Sequence, residues 1–241
     1  MFNEWQGPLR PGEKPPVENP ANVQESEKPE EKREVVENVE QELSPEVVEM
    51  IMEKVKFFEN IKTPQELLEF MRNNLKFGFV GKNNKKIYSW RDKMNNDWDF
   101  SSEYFLQSSD DLIKSGLGTC WDDTEFERYS FESMGYETKV FFMIFAGEKS
   151  FPTHTFLAYK EKDKWFWFEY AFGDCRGIHE YNNLEELILD AKGKNFDAAL
   201  KYDGATSEDE KDLMIFEYEK PRYGCSAQEF VDNAVGGKKI S

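Results

Sequence analysis

Gly116-Leu117-Gly118-Thr119-Cys120-Trp121-Asp122-Asp123-Thr124-Glu125-Phe126-Glu127-Arg128-Tyr129-Ser130-Phe131-Glu132-Ser133-Met134-Gly135 is the stretch around which the rest of the chain is arranged. Two glycines lead into Cys120, where a helical pattern begins. Phe131 and Met134 are three residues apart and Cys120 lies about three turns earlier, so the three share one helix face, with Phe126 flanking it. Glu127 falls inside the same arc and makes the stripe imperfect; a solvated edge or a basic partner is its expected setting. Gly135 supplies a C-terminal stop. Cys120 therefore opens a largely buried helix, where unpaired N–H groups and the helix dipole favour a thiolate. A cysteine so placed is either a small core residue or a nucleophile.

Composition narrows the choice. The 241 residues suffice for one sizeable core with a tail, or for two small domains. With 31 basic against 48 acidic residues the formal charge is -17, which argues against nucleic acid or an anionic membrane surface as the main partner. No apolar run has the length of a membrane span, and the first residues lack the regions of a signal peptide. Three cysteines do not make a disulfide framework and suit a reducing compartment. A cytoplasmic protein is expected, with a phage virion or delivered protein as the alternative.

Residues 1–43 hold six of the ten prolines and eleven Glu against five Lys or Arg. Such a segment buries too little apolar surface to offset its ordering entropy and reads as a disordered acidic tail. Val35, Val36, Val39 and Leu43 give it a faint amphipathic end, either a frayed helix or a docking segment for a protein partner. The folded domain is expected over 44–241. Ser44-Pro45 opens a helix to about Asn60, with Val48, Ile51, Met52, Val55 and Phe58 inward. Thr63-Pro64-Gln65-Glu66 is a capping box for a second helix that ends near Phe77–Gly81. Residues 82–103 read as irregular, and a short helix spans about 109–114. Then the period changes: strands are expected at 139–145, 153–159 and 164–171, the last two joined by a turn over 160–163. A surface helix at 184–192, a strand at 213–218 and a helix capped by Ser226 and Glu229 complete the chain. Helices followed by an antiparallel meander give an α+β fold.

The chain has two histidines, His154 and His179. If 160–163 is the turn, paired positions sum to 323 and His154 faces Glu169 across the hairpin. Cβ atoms of such neighbours lie about 4.5–5.5 Å apart, which suits a carboxylate orienting an imidazole. Cys120, His154 and Glu169 then form a nucleophile triad: a thiolate to attack a carbonyl, an imidazole to pass the proton, a carboxylate to fix the tautomer.

At these residues the chain resembles the transglutaminase-like superfamily. Gly118-Thr119-Cys120-Trp121 is similar to its nucleophile motif, and Thr153-His154-Thr155-Phe156 and Trp165–Glu169 are similar to its histidine and acid strands. Small transglutaminase-like proteins of Gram-positive bacteria, phages and mobile elements carry segments similar to Leu106-Gln107-Ser108, Gly118–Asp122, Thr153–Phe156, Trp167-Phe168-Glu169 and Arg176–Tyr181 in this order. The likeness covers about residues 63–190. It implies a papain-like core, the nucleophile helix packed on an antiparallel sheet, and a Cys-His-acid triad in cross-linkers, proteases, deamidases and inactive forms. Glu169 stands where Asp is usual.

Each residue also has a plainer reading. Cys120 could be a buried structural thiol, His154 a satisfied sheet histidine, and Glu169 a solvated carboxylate with Asp174 as the fallback acid. An oxyanion hole would use the Cys120 N–H with a donor from Gln107, Trp90 or Trp98. Trp121, Arg176 and His179 are candidates to face substrate, with a structural role open to the last two. Cys175 and Cys225 read as core or loop thiols. No metal, calcium loop or other cofactor is indicated. The expected activity is acyl transfer on a peptide or side-chain amide, hydrolysis ahead of cross-linking; the alternative is a catalytically silent binding or virion-assembly module. Deleting residues 1–43 should leave the thermal unfolding midpoint almost unchanged, and a large drop would show that the tail packs into the core.

Overall fold

The computed structural model describes residues 44–81, 86–87 and 100–241; the tail 1–43, Trp90 and Trp98 lie outside the described residues. The chain is α+β. It opens with α1 (Pro45–Glu59) and α2 (Pro64–Asn74), then the short strands β1 (Lys76–Phe77), β2 (Phe79–Val80) and β3 (Lys86–Ile87). The short helices α3 (Phe100–Glu103) and α4 (Ser109–Ser115) and the strand β4 (Leu117–Gly118) lead into α5 (Cys120–Ser133). Then come β5 (Glu137–Phe145), β6 (His154–Glu161), β7 (Lys164–Glu169), β8 (Gly177–Tyr181), α6 (Leu184–Tyr202), β9 (Leu213–Glu217), α7 (Ala227–Val235) and β10 (Lys238–Lys239).

Six strands form one antiparallel sheet in the order β10-β9-β5-β6-β7-β8. Helices cover both faces. Val140, Phe142, Leu157, Tyr159 and Phe168 point into a core shared with residues of α2, α5 and α7. Phe141, Met143, Phe156, Ala158 and Trp167 point the other way, onto Leu187, Ile188, Ala191 and Ala199 of α6. Two covered faces explain why β5 is buried without interruption from Val140 to Phe145, where a sheet with one wet face would alternate polar and apolar residues.

Local signals work where the chemistry is local. The Glu66 carboxylate accepts from the Thr63 N–H at 3.0 Å while Glu66 N–H donates to Thr63 Oγ1 at 3.2 Å, the expected capping box of α2. Ser226 and Glu229 repeat it at α7. Three expectations are corrected. Val48 and Met52 of α1 are 41% and 55% exposed, so the helix leans on Val55 and Phe58 alone of its inner set beyond a half-buried Ile51. The expected surface helix at 184–192 runs on to Tyr202, because its apolar residues cover a whole sheet face. Glu127 is 2% exposed, since α5 is buried on every side from Trp121 to Arg128. The opposite flank of α5 is pinned to the residue after β9: Arg128 and Glu125 form a buried ion pair, and the Tyr218 hydroxyl donates to Glu125 Oε1 at 2.9 Å.

Phe131 lies fully buried, its ring 4.5 Å from that of Tyr159 and 5.1 Å from that of Phe168. Phe131→Ala should therefore cost about 3–5 kcal/mol in urea unfolding. Met52→Ser on the exposed side of α1 should stay within roughly 0.5 kcal/mol of wild type.

Candidate active site

The turn into α5 is built by two glycines with different duties. Gly116 ends α4 in the left-handed region (φ 68°), which costs a side-chain-bearing residue strain. At Gly118 a Cβ would collide with the Asp123 carboxylate, so only a hydrogen fits there. Thr119 is the N-cap, and Asp122 at the third helical position accepts from the Thr119 N–H and hydroxyl, both at 2.9 Å. The second Asp122 oxygen takes the Gln107 N–H at 2.9 Å and the Tyr104 hydroxyl at 3.1 Å. One buried carboxylate thus ties the segment 104–107 to the first turn of α5. Burial still outweighs these donors and pushes the Asp122 carboxyl above its ordinary value.

Cys120 is the first residue of α5, and His154 the first of β6. Two hydrogen bonds flank the histidine and lock helix to strand. Thr155 Oγ1 donates to the Cys120 carbonyl at 2.7 Å, and Trp121 Nε1 donates to Thr153 Oγ1 at 3.2 Å. The Cys120 sulfur itself lies 3.8 Å from the Thr153 carbonyl oxygen.

His154 Nε2 meets Glu169 Oε2 at 2.8 Å. The register that was expected to bring them together is not the observed one. The hairpin turns on Lys162-Asp163, with Glu161 opposite Lys164, so pairs sum to 325 and Glu169 stands two positions along from the residue that would face His154. A slip of two keeps the parity, so both side chains still share one sheet face and reach each other diagonally. Glu169 is 2% exposed and fully occupied: Trp167 Nε1 also donates to Oε2 at 3.2 Å, and the Phe172 N–H to Oε1 at 2.7 Å.

Burial alone would drive the His154 pKa down. The adjacent Glu169 charge overrides it, helped by hydrogen bonds with Cys120 and Glu169, and the imidazole is pushed up to about 10. Because Nε2 is committed to the carboxylate, Nδ1 is the nitrogen left for the thiol. Behind this pair lie two more buried carboxyls. Burial, then the charges of Asp122 and Glu169, push Asp123 well above the usual carboxylate range; burial, then Glu169 and Asp123, do the same to Glu127.

Cys120 and His154 line a cavity of about 350 Å³ at the end of the sheet, bounded also by Phe77, Phe79, Phe100, Trp121, Phe172 and the C-terminal part of α6. Such a volume suits a small ligand or a side chain with its flanking backbone. Trp121 reaches this cleft, but its N–H is held by Thr153 and its ring stacks on Phe230 at 4.4 Å. Gln107 does not line it: its amide nitrogen donates to the Leu117 carbonyl at 2.8 Å and its oxygen accepts from Ser115 at 2.9 Å, so it braces the approach to α5. Arg176 and His179 also stand outside the lining. Arg176 Nε donates to the Tyr170 carbonyl at 2.6 Å, and His179 Nε2 lies 2.7 Å from the Cys175 carbonyl oxygen. Asp174, the fallback acid, binds the Tyr202 hydroxyl at 2.8 Å, leaving Glu169 alone with His154. Burial raises the Cys175 thiol and pushes Cys225 up to about 11.

Sequence reading missed Thr153, Thr155, Asp122 and Trp167 as members of the site. Asp122 carried a signal, as the acid three residues after a threonine N-cap. The threonines carried none, because their partners lie on another element. Compared with known family models and with curated proteins, the chain matches none.

The His154–Glu169 pair ties folding to pH. The imidazole binds its proton more tightly in the folded state (about 10) than at its ordinary 6.5, so its stabilising contribution is complete below about pH 6.5 and is lost as pH rises to about 10. The stability gap between wild type and Glu169→Gln, measured by denaturant unfolding, should narrow steadily across that window. A gap that is flat with pH would show that the carboxylate does not hold the imidazolium.

Proposed function

We propose that the protein is a cysteine-dependent acyl-transfer enzyme of the transglutaminase-like, papain-like kind, with Cys120 as nucleophile, His154 as proton carrier and Glu169 as the group that orients it. The observation that carries this reading is the buried imidazole held at 2.8 Å by a carboxylate while its other nitrogen is left for a thiol at a helix start. In this scheme the sulfur attacks an amide carbonyl carbon. The Cys120 N–H, at a helix position with no intrahelical acceptor, faces the developing oxyanion. The imidazolium protonates the departing nitrogen, the C–N bond breaks, and a thioester remains on Cys120. Water or an amine then attacks the thioester, gives its proton to His154, and releases the thiolate. The substrate is a peptide or a side-chain amide.

Iodoacetamide should alkylate Cys120 ahead of Cys175 and Cys225, and His154→Ala should slow Cys120 alone by roughly tenfold at neutral pH. p-Nitrophenyl acetate should give a burst of nitrophenolate and an acetyl group on Cys120 by peptide mass spectrometry, absent in Cys120→Ser. Alkylation indifferent to His154, with no acetyl-enzyme, would instead favour the catalytically silent binding module.

A further inference from the structure

Glu169 serves two donors with one oxygen. His154 Nε2 lies 2.8 Å from Oε2 and Trp167 Nε1 donates to the same atom at 3.2 Å, while Oε1 takes the Phe172 N–H at 2.7 Å. Glu169 is 2% exposed and Trp167 fully buried, which keeps bulk solvent from the shared oxygen. An indole N–H can only donate, and so can a backbone N–H, so neither can take the proton that His154 holds. A carboxylate that accepts further N–H bonds is a weaker base, and it grips a neighbouring imidazolium less.

Three strands set Trp167 in this place. Trp167 and Glu169 are two apart on β7 and share the sheet face that α6 covers. Opposite Trp167 on β6 stands Ala158, small enough to leave the indole room, and opposite it on β8 stands His179. The Phe156 ring meets the indole edge-on with centres 5.9 Å apart, and the His179 ring centre lies 5.2 Å away. His179 also reaches the other support of Glu169. Its Nε2 is 2.7 Å from the Cys175 carbonyl oxygen, and the Cys175 N–H donates to the Phe172 carbonyl at 2.9 Å. This closes the turn that offers the Phe172 N–H to Oε1. The other titratable groups that bear on the pair are Cys120, Asp123 and Glu127 of α5 and Cys175 of the turn, none of them a cation. Arg176 acts on Asp123, with its guanidinium 4.6 Å from the centre of the Tyr170 ring.

We propose that Trp167 is a positioning residue that competes with His154 for Glu169 and so loosens the histidine's proton, with His179 bracing both the indole and the turn beside it. This deepens the acyl-transfer reading and rests on it for its use in turnover. A Glu169 relieved of the indole holds the imidazolium harder. The thioester on Cys120 then waits longer for a neutral imidazole. In the step that is slowed, a water oxygen bonds to the acyl carbon, its proton passes to His154, and the C–S bond breaks to leave the free acid and the thiolate.

The full-length chain with isotope-labelled histidines is titrated by NMR as wild type, as Trp167→Phe, and with benzothienylalanine at position 167. The last keeps the shape of the indole and carries sulfur in place of the N–H. In both replacements the His154 midpoint should rise by about one pH unit. A merely structural loss, which admits water between the strands, would lower it toward the ordinary 6.5. His179→Gln leaves His154 as the single histidine and should move its midpoint upward too; an unmoved midpoint there removes His179 from the arrangement. Acetyl-enzyme made with p-nitrophenyl acetate should hydrolyse roughly tenfold more slowly at neutral pH in both Trp167 replacements, with the rising limb of its pH profile displaced along with the midpoint. A His154 midpoint that falls or stays in the benzothienylalanine protein overturns this inference alone. No acetyl-enzyme in wild type overturns the acyl-transfer reading, while the titration by itself still decides whether Trp167 and His154 compete for Glu169.

Discussion

Two threonine hydroxyls on either side of His154 hold the site together. Thr155 bonds the carbonyl of Cys120 and Thr153 accepts the indole N–H of Trp121, so the first two residues of α5 are fastened to the strand that carries the histidine. At this end of the helix the other contacts with the sheet are aromatic, broad and weakly directional. Hydrogen bonds have defined geometry, and two of them spaced along the strand fix both translation and rotation. The sulfur and the imidazole approach from opposite sheet faces, and this fastening is the one next to them, while Glu125 and Arg128 hold the far flank of α5 to Tyr218.

This cluster of side chains is assembled at a cost to folding. Five carboxyls, Asp122, Asp123, Glu125, Glu127 and Glu169, are at most 2% exposed, and Asp123 and Glu127 feel the charges of the others. Asp122 and Glu169 are compensated by four and three donors, and Glu125 by Arg128 and Tyr218. Asp123 Oδ1 has no partner among the described residues, and a single buried polar atom of that kind costs on the order of 1–3 kcal/mol. The aromatic packing on both sheet faces supplies the surplus that tolerates it. Sites that break the rules of a well-made core are where function is expected to lie.

The sequence made some of this legible and hid the rest for definite reasons. Helix starts could be read from Thr63 and Ser226 because a capping box is complete within four residues. Cys120, His154 and Glu169 could be singled out from their types and spacing, and the structure sets His154 against Glu169 and beside the same cavity as Cys120. The hairpin register could not, because turn length sets register and Lys162, a non-glycine residue at φ 55°, gives no warning of a two-residue turn. The side-chain pair survived that slip by parity alone. Glu127 and the far end of α6 were misjudged for a common reason: nothing in a local pattern announces that a second layer of structure will cover a polar-looking face. Gln107 has the right chemistry for an oxyanion donor, yet Leu117 and Ser115 claim both ends of its amide.

The double duty of α6 has a consequence for how such a protein can diverge. Its inward positions, Leu187, Ala191 and Ala199, are frozen by the layer they complete, while Asn195, Tyr202 and Asp203, one turn or less away, border open space. Exchanges at those outer positions leave the hydrophobic layer intact and alter what the cleft admits. Three side chains on this helix and its C-cap can therefore vary while the sheet layer beneath them, and the Cys120–His154 end of the cleft, stay as they are.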